Sequence, residues 1–169
     1  PGPMGSGMLD EFVERKTNPD KIKYLHPLME PILKETYGII VYQEQVMKIS
    51  QSLAGFSPGE ADGLRKAMGK KIMEQIERER SRFIGGAGKQ GISPNLANTI
   101  FDLMAHFGGY GFNKSHASAY GLVSFQTAYL KANFPLEYMA ALCTNEIGRS
   151  TMASKEVESK LVGFLRGCE

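Results

Sequence analysis

A chain of 169 residues with 42% hydrophobic content can build one domain, or two small ones, around a modest core. Twenty Lys and Arg against eighteen Asp and Glu leave a net charge of only +2, so bulk charge does not announce a nucleic-acid binder and local clustering has to carry that argument. No apolar run reaches the roughly eighteen positions of a membrane-spanning helix and no charged-then-apolar leader opens the chain, which sets the expectation of a cytoplasmic protein without a membrane partner.

In chain order, residues 1–8 read PGPMGSGM, a composition common in expression tails. Between Leu25 and Lys34, Pro27 and Pro31 restrict the chain to short turns or one irregular helix. The β-branched run Ile39, Ile40, Val41 favours a brief strand near residues 38–42, and the spacing of Val46, Ile49 and Leu53 predicts a helix from about Gln43 to Ala54, ended by Gly55. Ser57-Pro58-Gly59-Glu60 combines an N-cap, a proline at the first helical position and a capping-box glutamate. That helix is expected to run to about Met68, with Gly69 as its left-handed terminator and Arg65 and Lys66 in its last turn. A helix from Met73 to Gln90 should stop at Gly91. Ser93-Pro94 starts another, with Leu96, Ile100, Leu103, Met104 and Phe107 on one stripe, stopped by Gly108-Gly109. After the loop GGYGFNK, a long helix apolar on most sides is closed by Asn133 and Pro135, and further helices are expected over Leu136–Glu146 and Ser154–Arg166. The fold class is therefore mainly α, an irregular multi-helix arrangement with at most a short strand. Cys143 and Cys168 fall in no metal-ligand spacing, so free thiols are expected, with neither disulfide framework nor zinc.

Three stretches could carry chemistry. The glycine-rich turn before the long helix delivers Asn113, Lys114, Ser115 and His116 to a helix start, where free amides, the helix dipole and the Lys114 charge suit a phosphate. His116, Tyr120, Ser124 and Thr127 form a polar stripe along that helix. The same residues also suit an ordinary helix in which Ser115 caps the start and His116 and Tyr120 pack structurally. The segment Arg65, Lys66, Lys70, Lys71 places four cations in seven residues with no acid among them, whereas EQIERERSR mixes the signs as a solvated face does. Such a patch neutralises a triphosphate, which carries about four negative charges, or merely decorates a helix C-terminus. In YQEQ, Glu44 has no partner at metal or acid/base spacing and reads as a helix-start charge or a hydrogen-bonding structural residue. No Walker loop, GxSxG elbow, HExxH or paired-aspartate motif occurs.

Taken together, TYGIIVYQEQVMKISQSLAGFSPGEADGLRKAMGKK and FGGYGFNKSHASAYGLVSFQTAYLKANFPLEYMAAL resemble the fingers region of the bacterial DNA polymerase III alpha subunit family, from about Tyr37 to Leu142. PGPMGSGM resembles that family's own Pro-Gly-Pro-Met stretch. The resemblance implies an N-terminal segment leading from the palm over residues 1–36, a nucleotide-binding fingers core over 37–148, and a C-terminal helix over 149–169. It implies that Arg65, Lys66, Lys70 and Lys71 face the triphosphate, that Asn113, Lys114, Ser115 and His116 line the nucleotide pocket, and that Tyr120 packs against the nucleotide or supports His116. His116 matches a position expected to crowd the sugar and exclude a 2′-hydroxyl. Lys66 stands where a second Arg is common and Met73 where Pro is frequent, and Lys lacks the planar fork for bidentate phosphate contact.

No catalytic residue is expected in this chain, because in this family aspartates of the palm hold the Mg2+ ions. The implied partners are a deoxynucleoside triphosphate, primer-template DNA, and in the parent polypeptide a sliding clamp, a clamp loader and other replicase subunits. The implied activity is that of a DNA-directed DNA polymerase, a nucleotidyltransferase, with this fragment inactive alone. The competing expectation is a helical nucleic-acid-binding or assembly module with no role in nucleotide selection.

Overall fold

Local stop and start signals cut the chain into helices much as its sequence indicates. A computed structural model describes residues 7–108, 111–147, 162–164 and 166. Among them the helices are α1 (Met8–Thr17), α2 (Glu30–Leu33), α3 (Gln43–Ala54), α4 (Pro58–Lys70), α5 (Met73–Lys89), α6 (Pro94–Gly108), α7 (Lys114–Asn133) and α8 (Pro135–Ile147). The proline-rich stretch before α3 resolves into a turn at Pro27–Met29, the single-turn α2 and a second turn at Lys34–Thr36. Most of the helix expected over Ser154–Arg166 lies outside the described residues, and residues 162–164 and 166 are helical.

The capping chemistry explains the boundaries. Ser57 Oγ accepts from the Glu60 N–H at 3.3 Å and the Glu60 carboxylate accepts from the Ser57 N–H at 2.8 Å, which closes the box around two otherwise orphaned donors. Gly55 sits at φ 69° and ends α3. At the far end of α4 the expectation fails: Gly69 stays inside the helix and Lys71 takes the left-handed conformation at φ 55°. The Lys71 N–H donates to Met68 O and the Ile72 N–H to Ala67 O, the paired bonds of a Schellman ending. Burial of Ala67 and Met68 sets this register, since a stop at Gly69 would pull their turn away from the core.

No strand forms among the described residues. Ile39 and Ile40 are buried, but the Val41 and Tyr42 N–H groups both donate to Gln45 Oε1, at 2.8 and 3.0 Å. A side chain thus takes the donors that a neighbouring strand would have used, and only an isolated bridge between Tyr42 and Phe112 remains. Gln45 is itself buried, and its amide donates to Thr36 Oγ1 at 2.8 Å and to Ile32 O at 3.2 Å, so its own polar atoms are satisfied while they tie down the segment before α3.

Two compact units result, Pro1–His116 and Ala117–Glu169. The first holds a core of Val46, Ile49 and Leu53 from α3, Leu64 and Met68 from α4, Phe83 from α5, and Ile100, Phe101 and Met104 from α6. Phe83 is fully buried between Phe56 and Phe101, with ring centroids 6.3 and 5.6 Å away. Fully burying one such side chain contributes about 1.5–3 kcal/mol. The mixed-charge stretch of α5 is more than a solvated face. The Arg80 guanidinium lies 4.7 Å over the Phe101 ring and donates to Asn98 of α6, while Arg82 pairs with Glu60 of α4 and with Glu79, whose side chain is buried.

The second unit contains α7 from Ala117 onward and α8. The long helix is apolar on most sides as expected, yet none of its residues is buried. Pro135 opens α8 and cannot supply the N–H that would continue α7, so the break falls where the sequence places it. Among the described residues, no helix is long and apolar enough to cross a membrane.

Candidate functional site

Three of the polar residues singled out in the sequence, Arg65, Asn113 and Lys114, meet around the first turn of α3. Gly111 approaches the backbone there so closely that an added Cβ would lie 3.2 Å from the Gln43 nitrogen. That approach lets the Gln43 N–H donate to Phe112 O at 2.9 Å and the Phe112 N–H donate to Val41 O at 3.2 Å. The turn before α7 is thereby pinned to the start of α3, and Asn113 to His116 follow from it.

Asn113, and not Ser115, caps α7: its Oδ1 accepts from the His116 N–H at 2.8 Å. Its Nδ2 donates to Glu44 Oε1 at 3.0 Å, and the Glu44 carboxylate also accepts the Lys114 N–H, at 3.1 and 3.0 Å to its two oxygens. The helix start that the sequence offers to an anion already holds one, a carboxylate of the chain itself, in the arrangement that a helix dipole favours. Glu44 is therefore the hydrogen-bonding structural residue that its position suggested, although its partners are far away in sequence.

The side chain of Lys114 turns to a second carboxylate. Its Nζ donates to both oxygens of Glu35 at 2.6 Å and sits 5.6 Å over the Tyr42 ring. The hydrogen bond to Glu35 raises the Lys114 pKa above its ordinary lysine value, so the ammonium keeps its charge. Ser115 and His116 are exposed beside it.

The basic segment approaches the same place from α4. Arg65 Nη1 donates to Gln43 Oε1 at 3.3 Å, while its Nε donates to Asp62 Oδ1 at 2.8 Å. Lys66 Nζ pairs with the other oxygen of Asp62 at 2.7 Å. The hydrogen bonds from Lys66 and then Arg65 hold the Asp62 carboxyl below its ordinary value. Two of the four cations in the patch that looked free of acids thus share one carboxylate, three and four positions upstream, the spacing at which helical side chains meet.

The structure consequently brings Arg65 to the Tyr42–Gln45 turn through Gln43, and Asn113 and Lys114 to it through Glu44, with Ser115 and His116 following in α7; Lys66 pairs with Asp62 of its own helix. Lys70 lies in the last turn of α4, and Lys71 lines a small, mainly apolar depression with Met68, Met73, Ile76 and His106. Tyr120 belongs to the second unit and is 62% exposed. Glu35, Gln43 and Asp62 are the site's neighbours that sequence reasoning passed over. Asp62 was readable from helical spacing, whereas the Glu35–Lys114 pair, 79 residues apart, left no local signal. Among the described residues, no three His, Cys, Asp or Glu side chains come together in a way that could hold a metal ion.

The family model for the bacterial DNA polymerase III alpha subunit finger domain matches residues 1–91, including the opening PGPMGSGM stretch. The chain is 60% identical over 144 residues to DNA polymerase III subunit alpha of Chlamydia trachomatis, covering 85% of this chain and 12% of that protein. It is 55% identical over 147 residues to the Treponema pallidum protein of the same name, covering 87% and 12%. Against that of Escherichia coli K12 it is 49% identical over 173 residues, covering 99% and 14%. The chain therefore spans only 12–14% of the length of these curated relatives. A match over more than half of its residues, in a helical unit built from the motifs that first suggested it, establishes that the chain belongs to the bacterial DNA polymerase III alpha subunit finger domain family.

Proposed function

We propose that this chain is the nucleotide-handling fingers portion of a DNA-directed DNA polymerase, and that it positions an incoming deoxynucleoside triphosphate against primer-template DNA. The observation that carries this reading is the convergence of Arg65 and Lys114 on the turn that starts α3, beside the exposed Ser115 and His116. Phosphoryl transfer depends on positioning and on cations that spread the phosphate charge, and this chain supplies both in one unit.

In this reading Arg65 and Lys114 clamp the phosphates, Lys66, Lys70 and Lys71 add long-range attraction, and Asn113 holds the backbone of His116 so that its ring crowds the sugar. The Mg2+ ions of such an enzyme supply Lewis-acid stabilisation of the transferring phosphoryl group. In this reading carboxylates of the palm, elsewhere in the parent polypeptide, would hold them, and the fragment alone would not polymerise. The parent would act in the cytoplasm with a sliding clamp, a clamp loader and other replicase subunits.

Primer extension by the full parent protein tests the assignment. Replacing Arg65 or Lys114 with Ala should raise KM for deoxynucleotides, and His116→Ala should raise the incorporation of ribonucleotides relative to deoxynucleotides. Unchanged KM in both cation variants would remove the phosphate-clamp role.

A second reading, an assembly module, draws on a different observation: Phe125 and Leu136 are 69% and 79% exposed, far more than apolar side chains that size usually are. It predicts that Phe125→Ser weakens association with the rest of the parent while leaving the KM for nucleotide unchanged.

A further inference from the structure

We propose that Glu35 is a built-in competitor for the charge of Lys114, so that a ligand must bring more than one negative charge to displace it. The inference rests on the polyphosphate-binding reading given above and adds a selection rule to it.

Every oxygen of Glu35 that could face Lys114 does so, at 2.6 Å. The carboxylate is carried on a short turn whose flanking residues Leu33 and Thr36 are buried, and Thr36 is bonded to Gln45 and to Ile39 O at 2.8 and 2.6 Å. Glu35 is thus presented from a fixed backbone and not from a swinging loop. The two side chains are 49% and 43% exposed, so water and salt screen the pair and its exchange for another anion is easy.

The neighbouring amide offers no alternative landing place, because Glu44 already accepts the Lys114 N–H. An arriving anion therefore meets an ammonium already paired and a helix end already neutralised. A singly charged phosphate gains little by replacing a carboxylate of equal charge. A triphosphate, with about four charges, both displaces Glu35 and reaches towards Arg65, which is held at the same turn by Gln43.

Titration of the 169-residue chain with inorganic orthophosphate, pyrophosphate and tripolyphosphate at low salt and about pH 5.5, where orthophosphate is mainly the monoanion, followed by calorimetry, provides the test. Glu35→Gln should tighten tripolyphosphate and orthophosphate binding alike, each roughly two- to fivefold, because either anion has to displace the same carboxylate. Glu74→Gln removes the same charge from the exposed start of α5 and should change little. Glu35→Gln combined with Lys114→Ala should bind like Lys114→Ala alone, because Glu35 acts through that ammonium. Equal tightening by Glu35→Gln and Glu74→Gln would reduce the effect to overall charge and overturn the proposal. If Lys114→Ala weakens binding while Glu35→Gln leaves it unchanged, the competitor role falls and the phosphate-clamp reading stands. If neither Lys114→Ala nor Glu35→Gln alters binding, both fall together.

Discussion

Gly86 is the position where one methyl group should do the most damage. It lies in α5 where that helix crosses α3, and a Cβ added there would come within 2.1 Å of the Ala54 carbonyl oxygen and 2.9 Å of its carbon. The obstacle is backbone, and the residue that carries it ends α3 just before the left-handed Gly55, so no side chain can rotate away. Relief requires α3 and α5 to move apart, loosening the packing around Phe83. Overpacking of this kind costs about 3 kcal/mol, against which alanine regains about 1 kcal/mol of helix propensity.

The net loss of about 2 kcal/mol corresponds to a fall in Tm of roughly 4–8 °C for a chain this size. Gly85 provides the control, since a Cβ there meets nothing within 4 Å and the position is exposed. Gly85→Ala should therefore raise Tm by about 2–4 °C, an effect of opposite sign one residue away. Thermal unfolding followed by far-ultraviolet circular dichroism reads both. A Gly86→Ala variant as stable as Gly85→Ala would refute the close crossing of α3 and α5.

Three further outcomes follow from particular contacts. Lys71→Gly should stabilise the chain by about 0.5–1 kcal/mol in urea unfolding, because glycine adopts the left-handed ending of α4 without the strain a side chain brings. Phe83→Ala should cost about 3–5 kcal/mol in the same assay, as a fully buried ring between Phe56 and Phe101 leaves a cavity. The Glu60 carboxyl is held below its ordinary value by the Ser57 backbone N–H, then the Ser57 hydroxyl and Arg82. A depressed folded-state pKa means stability that is present above the unfolded value of 4.5 and lost as pH falls through the lower folded value. Glu60→Gln should thus lower Tm most near pH 7, and the gap from the parent chain should close as the pH falls through the lowered folded value; a constant gap would contradict stabilisation by the ionised carboxylate.

Features set by bonds that close within a few residues are legible in the chain before it folds. Ser57-Pro58-Gly59-Glu60 starts α4, Gly55 ends α3 and Pro135 separates α7 from α8, because capping and proline chemistry act without any distant partner. The same locality made YQEQ, LRKAMGKK and GFNKSH legible as motifs. Tertiary structure decided the rest. Burial of Ala67 and Met68 carried α4 past Gly69 to a left-handed Lys71, against the preference of glycine for that role. The amide donors near Val41 went to the Gln45 side chain, because Gln45 is anchored by Thr36, and the β-branched run found no partner strand.

The charges of the site show the limit most plainly. Cation clusters are visible in a sequence, but their neutralisation is a matter of distance in space. Asp62 reaches Arg65 and Lys66 along one helix, whereas Glu35 and Glu44 reach Lys114 only after the intervening helices have folded and brought residues 70 or more apart together. Whether a lysine offers its charge to a ligand or to its own chain depends on that packing, and no local pattern encodes it.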